Sequence, residues 1–142
     1  MKKDFVANAS ITINAPITKV WDALVNPKVI KIYMFGTETI SDWEVGSKIV
    51  WKGEWKEKPY QDNGIILKIE PEKILQYTHY SPITRLPDIP ENYHTVTYSV
   101  TQKEDSTHLS ISQDNNADEK AQNESEKMWG MMLMDLKKLM EG

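Results

Sequence analysis

The residues with chemistry to offer in this chain are three histidines, a set of tryptophans and tyrosines at alternating positions, and a methionine-rich terminal stretch. His79 is the leading candidate for a functional polar group. It alternates with Leu75 and Tyr77, so the three share one face of a strand. If that face points inward, the imidazole brings a titratable group to an enclosed space. The competing reading is a core histidine bonded to a tyrosine or a backbone carbonyl, since buried polar groups need partners for structural reasons alone. His94 falls on the face of Val96 and Tyr98, and His108 falls opposite Leu109, toward solvent. The three histidines lack metal-ligand spacing and cysteine is absent. No metal, no cofactor, no disulfide and no cysteine nucleophile is therefore expected.

The carboxylates read as surface charges. Glu54 alternates with Trp51 and Trp55 and points away from them, Glu70 and Glu72 flank Pro71, Glu44 sits in a turn, and Asp22 lies off an apolar helix stripe. There is no Gly-x-Ser-x-Gly elbow and no phosphate-cradling glycine loop. The aromatics offer more. Trp51, Trp55, Tyr77 and Tyr98 can line one concave surface with Phe35 near its mouth, joining large apolar area to a hydrogen-bonding handle. Filling of an ordinary core is the alternative. Five methionines fall between Met128 and Met140, where their adaptable shape suits a variable ligand, ordinary core packing, or a homodimer contact through Met128 and Met131. The segment Ser81–Pro90 carries three prolines with Ile83, Leu86 and Ile89, and reads as a lid, a partner contact or a loop folded on its own sheet; Arg85 there could meet an anionic ligand end.

The elements that must position these side chains follow from periodicity. Phe5 to Asn14 alternates as a half-buried strand. Ile17, Val20, Trp21 and Leu24 then form a helical stripe after Pro16, and Asn26-Pro27 ends it. A second short helix from Pro27 presents Val29, Ile30, Tyr33 and Met34. From Glu38 to Gln113 the pattern is strand and turn, with turn signals at Trp43–Ser47, Lys58-Pro59, Asp62-Asn63-Gly64, Glu70–Glu72 and Glu104–Ser106. Asp114–Asp118 ends the sheet, with Asp118 or Asn116 available as a helix cap. The last helix buries Trp129, Met132, Leu133, Leu136 and Met140, and its first half is polar. The expected fold is α+β: about seven antiparallel strands, two short helices between the first two, and a long C-terminal helix, in one domain over residues 1–142.

Composition sets the outer bounds. Lys and Arg number 17 against 21 Asp and Glu, a net charge of −4. With no basic stripe, a nucleic-acid partner is not expected. No apolar run is long enough to span a membrane. Met1-Lys2-Lys3-Asp4 leads into a polar alternating stretch, not into a signal-peptide core, so a cytoplasmic location is expected.

The chain resembles the START-like, or helix-grip, superfamily, and within it the activator-of-heat-shock-protein-90-ATPase homologue family of small bacterial proteins. Five segments carry the resemblance: Ile13–Leu24, with Ala-Pro before Val-Trp-Asp-Ala-Leu; Glu44–Ile49, where Ser47 replaces the family's second glycine; Gly64–Leu75; Thr107–Ile111; and Trp129–Lys137, where Gly130 follows the tryptophan that the family commonly places after a glycine. The resemblance implies a sheet curled round the terminal helix with an apolar pocket between them. The sheet would contribute Trp51, Trp55, Tyr77, His79, Tyr98 and Gln113, with Phe35 at the mouth. The helix would contribute Trp129, Met132, Leu133 and Leu136. The implied partner is a small apolar or amphipathic molecule. Two alternatives stand beside this binding reading: a cavity enzyme of cyclase, hydratase or hydrolase type using His79 near Tyr77 or Tyr98, and a co-chaperone-like interaction module with a solid core.

Overall fold

The computed structural model describes residues 5–55 and 57–142, with Trp55 described in its backbone alone. The N-terminal Met1–Asp4 segment and the side chain of Trp55 lie outside the described residues. Strand β1 (Phe5–Ile13) leads through α1 (Ile17–Val25) and α2 (Pro27–Tyr33) to β2 (Glu38–Ser41), β3 (Lys48–Trp55), β4 (Lys58–Glu70) and β5 (Ile74–His79). After two single 3-10 turns come β6 (His94–Lys103), β7 (Ser106–Asn116) and the long helix α3 (Glu119–Glu141).

The seven strands form one antiparallel sheet in the order β1-β7-β6-β5-β4-β3-β2. The two helices α1 and α2 therefore carry the chain from one edge of the sheet to the other. Tyr33 ties them together by donating its hydroxyl to the Ala23 carbonyl at 2.6 Å. Val20 and Leu24 of α1 and Ile30 of α2 join the core beside Ile13, Leu75 and Leu109 of the sheet. Trp129, Met132, Leu133, Leu136 and Met140 of α3 are all buried, the stripe that the helical spacing predicts. Asp118 caps α3 by accepting the Ala121 N–H at 2.8 Å. Asn116, the other candidate cap, is instead the last residue of β7, which runs three residues past Gln113.

Strand β4 departs from expectation. Lys58-Pro59 and Asp62-Asn63-Gly64, read as turns, lie within a continuous strand of 13 residues. Pro59 is tolerated because the start of β4 pairs with β3 alone, so no second ladder asks for its missing N–H. Gly64 serves a close crossing: a Cβ there would stand 1.6 Å from the Thr78 carbonyl oxygen on β5. The ladder with β5 slips in register between Ile66 and Lys68, and the Ile65 N–H goes to Thr78 Oγ1 at 2.9 Å. Glycine here allows a sharp bend, not a reversal.

Gly64→Ala is expected to lose at least about 3 kcal/mol of stability, because the clash is with backbone and cannot be relieved by a rotamer change. Leu136→Ala, at a fully buried position, is expected to cost about 2–5 kcal/mol. Urea unfolding followed by circular dichroism checks both; a Gly64→Ala variant as stable as the parent refutes the crossing argument.

Candidate functional site

Between the sheet and the middle of α3 lies a pocket of about 370 Å³. Its inner wall is built by Trp51 on β3, Tyr77 on β5 and Val96 on β6, faced by Trp129 and Met132 of α3. These side chains come together because β3, β5 and β6 turn alternate residues to one face and α3 presents its stripe to that face. Phe35, Ile83 and Met128 complete the lining and remain exposed, the first two at 71% and 63%, which places them at the mouth. They come from three separate places: the turn after α2, the loop after β5, and α3.

The aromatic rings form a continuous row. His79 meets Trp51 edge-on at 5.0 Å, Trp51 meets Tyr77 at 5.0 Å, Tyr77 meets Tyr98 at 5.8 Å, and Tyr98 meets Trp129 at 6.1 Å. The Tyr77 and Tyr98 hydroxyls bond each other at 2.9 Å. Burial pushes the Tyr98 phenol up to about 12 and holds that of Tyr77 well above its ordinary value, with the neighbouring Tyr98 adding to the effect. Both phenols are thus neutral hydrogen-bonding groups, not acids. Trp129 donates its indole N–H to Gln113 Oε1 at 3.0 Å, and Gln113 Nε2 donates to Asn116 Oδ1 at 3.1 Å.

His79 makes its hydrogen bond to Asp62 and not to a tyrosine hydroxyl. Its Nε2 lies 2.9 Å from Asp62 Oδ2, with the two side chains 28% and 14% exposed. A carboxylate can only accept, so in this pair the His79 Nε2–H is the donor and Asp62 holds the ring in place. Asp62 Oδ1 is shut away from solvent and has no hydrogen-bond partner. A second polar pair, Thr37 Oγ1 and Tyr60 OH at 2.8 Å, also lines the pocket. His94 holds the Asp114 carbonyl through Nδ1 at 2.8 Å, and His108 lies 3.3 Å from Thr12 Oγ1 on the sheet's outer side. Among the described residues no group of acidic, histidine or cysteine side chains could hold a metal ion.

Of the side chains expected around a pocket, Phe35, Trp51, Tyr77, His79, Gln113, Trp129 and Met132 line it. Tyr98, Leu133 and Leu136 do not. Tyr98 sits behind Tyr77, and the two leucines are sealed in the core where α3 closes on the sheet. Arg85 lies outside the lining, on a left-handed residue of the loop, so it offers no anion partner to this pocket. Asp62, Tyr60 and Thr37 were not anticipated. Alternation carried back along β4 from the buried Ile66 through Gly64 would have turned Asp62 and Tyr60 inward; reading Asp62-Asn63-Gly64 as a turn broke that count.

A curved antiparallel sheet gripping a long terminal helix, with a side pocket between them, is the helix-grip class of protein. The chain belongs to the Activator of Hsp90 ATPase homolog 1-like family, whose model matches residues 14–141. ChR145 of Cytophaga hutchinsonii, a solution structure, is 53% identical, with a TM-score of 0.87 over 99% of this chain and 97% of that one. The Aha1 dimer of Colwellia psychrerythraea is 19% identical with a TM-score of 0.75, over 96% of each chain. DynU16, a protein of the dynemicin biosynthetic locus, is 14% identical with a TM-score of 0.80, over 98% of this chain and 48% of that one. The last two likenesses show the fold alone. No curated protein matches the chain.

The buried phenols set a pH limit. Tyrosines of the unfolded chain ionise near about pH 10, whereas Tyr98 resists ionisation up to about 12. The folded state thus holds a proton that the unfolded state releases, so its full stability is kept below about pH 10 and lost as pH rises toward 12. Urea unfolding across that window should show falling stability, and Tyr98→Phe should flatten the fall. Equal slopes in the two proteins would refute the assignment.

Proposed function

We propose that the chain binds a small apolar or amphipathic molecule between the sheet and α3. The observation that carries the reading is the pocket: about 370 Å³ with walls of Trp51, Tyr77, Val96, Trp129 and Met132. Ligand sites commonly span about 300–1,000 Å³, with mainly apolar walls and a few convergent polar groups. The apolar mouth at Phe35, Ile83 and Met128 is consistent with entry of an apolar body.

The interaction-module alternative calls for a solid core, and the pocket speaks for the ligand reading over it. The enzyme alternative rests on Asp62, which orients the His79 imidazole as a general base is oriented. For protein partners we propose a second copy of the chain, seated on the exposed Met131 of α3; the Colwellia protein is a dimer, and sedimentation velocity of wild type against Met131→Glu tests the assignment.

Val96→Phe would place a ring in the empty space. In an NMR screen of neutral aromatic compounds, the wild type is expected to show shifts at Trp51 and Trp129, and Val96→Phe to lose them at least about tenfold in affinity while keeping its fold. Shifts from no compound, or shifts unchanged in Val96→Phe, would count against the pocket. If a bound compound is turned over, His79→Gln should abolish turnover and keep binding.

A further inference from the structure

The polar atoms around the pocket fall into two sets. The hydroxyls of Tyr77 and Tyr98 serve each other, and the Trp129 indole and Gln113 amide are consumed by one another and by Asn116. Asp62 belongs to the other set. Its Oδ2 takes one hydrogen bond from His79, while Oδ1 is enclosed and unpartnered. A carboxylate offers about four acceptor sites. One bond leaves this one under-compensated: Oδ1 is closed off by the protein itself, and a further donor or an opposite charge reaches the carboxylate only from the part of Asp62 that lines the pocket.

The remainder of the lining sets the sign of the partner. Among the described residues that line the pocket there is no lysine, no arginine and no second acid. Asp62, with His79 as its hydrogen-bond partner, is therefore the one acid that lines the interior. Aromatic rings stand next to it: Trp51 is the cross-strand partner of Asp62, and Tyr60 lies two residues before it on β4. The faces of such rings attract cations. A ligand ending in a carboxylate or phosphate would instead meet Asp62 with no basic group to offset the repulsion.

We infer that the pocket takes an apolar molecule ending in a protonated amine, with the ammonium beside Asp62 and Trp51 and the apolar body toward Trp129 and Met132. This rests on the ligand-binding reading above and narrows it to a chemical class. Asp62 and the aromatic wall select the head group; the methionine and tryptophan of α3 accept the body.

Three isosteric probes separate head group from body: naphthylmethylamine, naphthylmethanol and naphthoate, each titrated by NMR at about pH 8, above the usual histidine range. The amine should bind about tenfold more tightly than the alcohol, with naphthoate weakest. Asp62→Asn should bring the amine down to the level that the alcohol shows in the same variant. An alcohol or naphthoate that binds as well as the amine, or an amine preference that survives Asp62→Asn, overturns the inference and leaves the pocket reading standing. If Asp62→Asn does not fold, the wild-type ranking of the three probes decides alone. Binding of none of the three overturns the pocket reading, and the amine preference falls with it.

Discussion

Everything about the pocket depends on how far α3 stands from the sheet, and one buried polar knot sets that distance. The first half of α3 is too polar to hold itself to the sheet by apolar burial. It is held by hydrogen bonds: Ser125 donates to Asn116 Oδ1 at 3.0 Å, Gln113 donates to the same oxygen, and Trp129 donates to Gln113. Asn116 in turn donates to the Phe5 carbonyl at 2.9 Å, which brings β1 into the same knot. Each of these groups is satisfied only if all are in place, so the knot specifies one seating of the helix. It also fixes Trp129, whose ring is then a rigid wall.

At its other end α3 is held by different means. Leu133, Leu136 and Met140 are buried in the core, and Lys19 of α1 closes the helix end by donating to the Met140 carbonyl at 2.8 Å. Lys137 donates to the Thr12 carbonyl at 2.8 Å, and Glu141 accepts the Asn14 N–H at 2.7 Å. The helix is packed into the core over its C-terminal half and held by the knot before it, with Trp129 between the two. The pocket lies between these two attachments, along Met128, Trp129 and Met132. Leu133 and Leu136 of α3 are thus core and Met128 and Met132 are wall, although they belong to one helix.

That division explains what periodicity revealed and what it did not. Alternation and helical spacing respond to the difference between inside and outside, so the seven strands, both short helices and the buried stripe from Trp129 to Met140 were legible in the residues. They do not distinguish a side chain packed on its neighbour from one facing an internal void. Leu133, Leu136 and Tyr98 carry the same signal as Met132 and Tyr77, and only the place of each along α3 and the layering of Tyr77 over Tyr98 separate them. Asp62 was hidden for a different reason. Its neighbours Asn63 and Gly64 carry turn chemistry, and the glycine is there for the 1.6 Å approach of the Thr78 carbonyl that any Cβ would meet. A local rule for reversals was outweighed by a crossing set in the tertiary structure.

The bend at Gly64 and the knot at Gln113 act on opposite sides of the same space. The knot uses its polar atoms up: buried amide, indole and hydroxyl groups satisfy one another, and none is left facing a guest. The bend does the reverse. By keeping β4 a strand through its glycine, it carries Asp62 inward on the face of Ile66, opposite Trp51, where one histidine is too little to satisfy a carboxylate. Stability is drawn from the closed network, and among the residues that line this pocket the unmet demand lies at Asp62 Oδ1, at its aromatic end. A fold that had spread its unsatisfied polar atoms along the wall would bind many head groups weakly. One that gathers the deficit at Asp62 can discriminate between them.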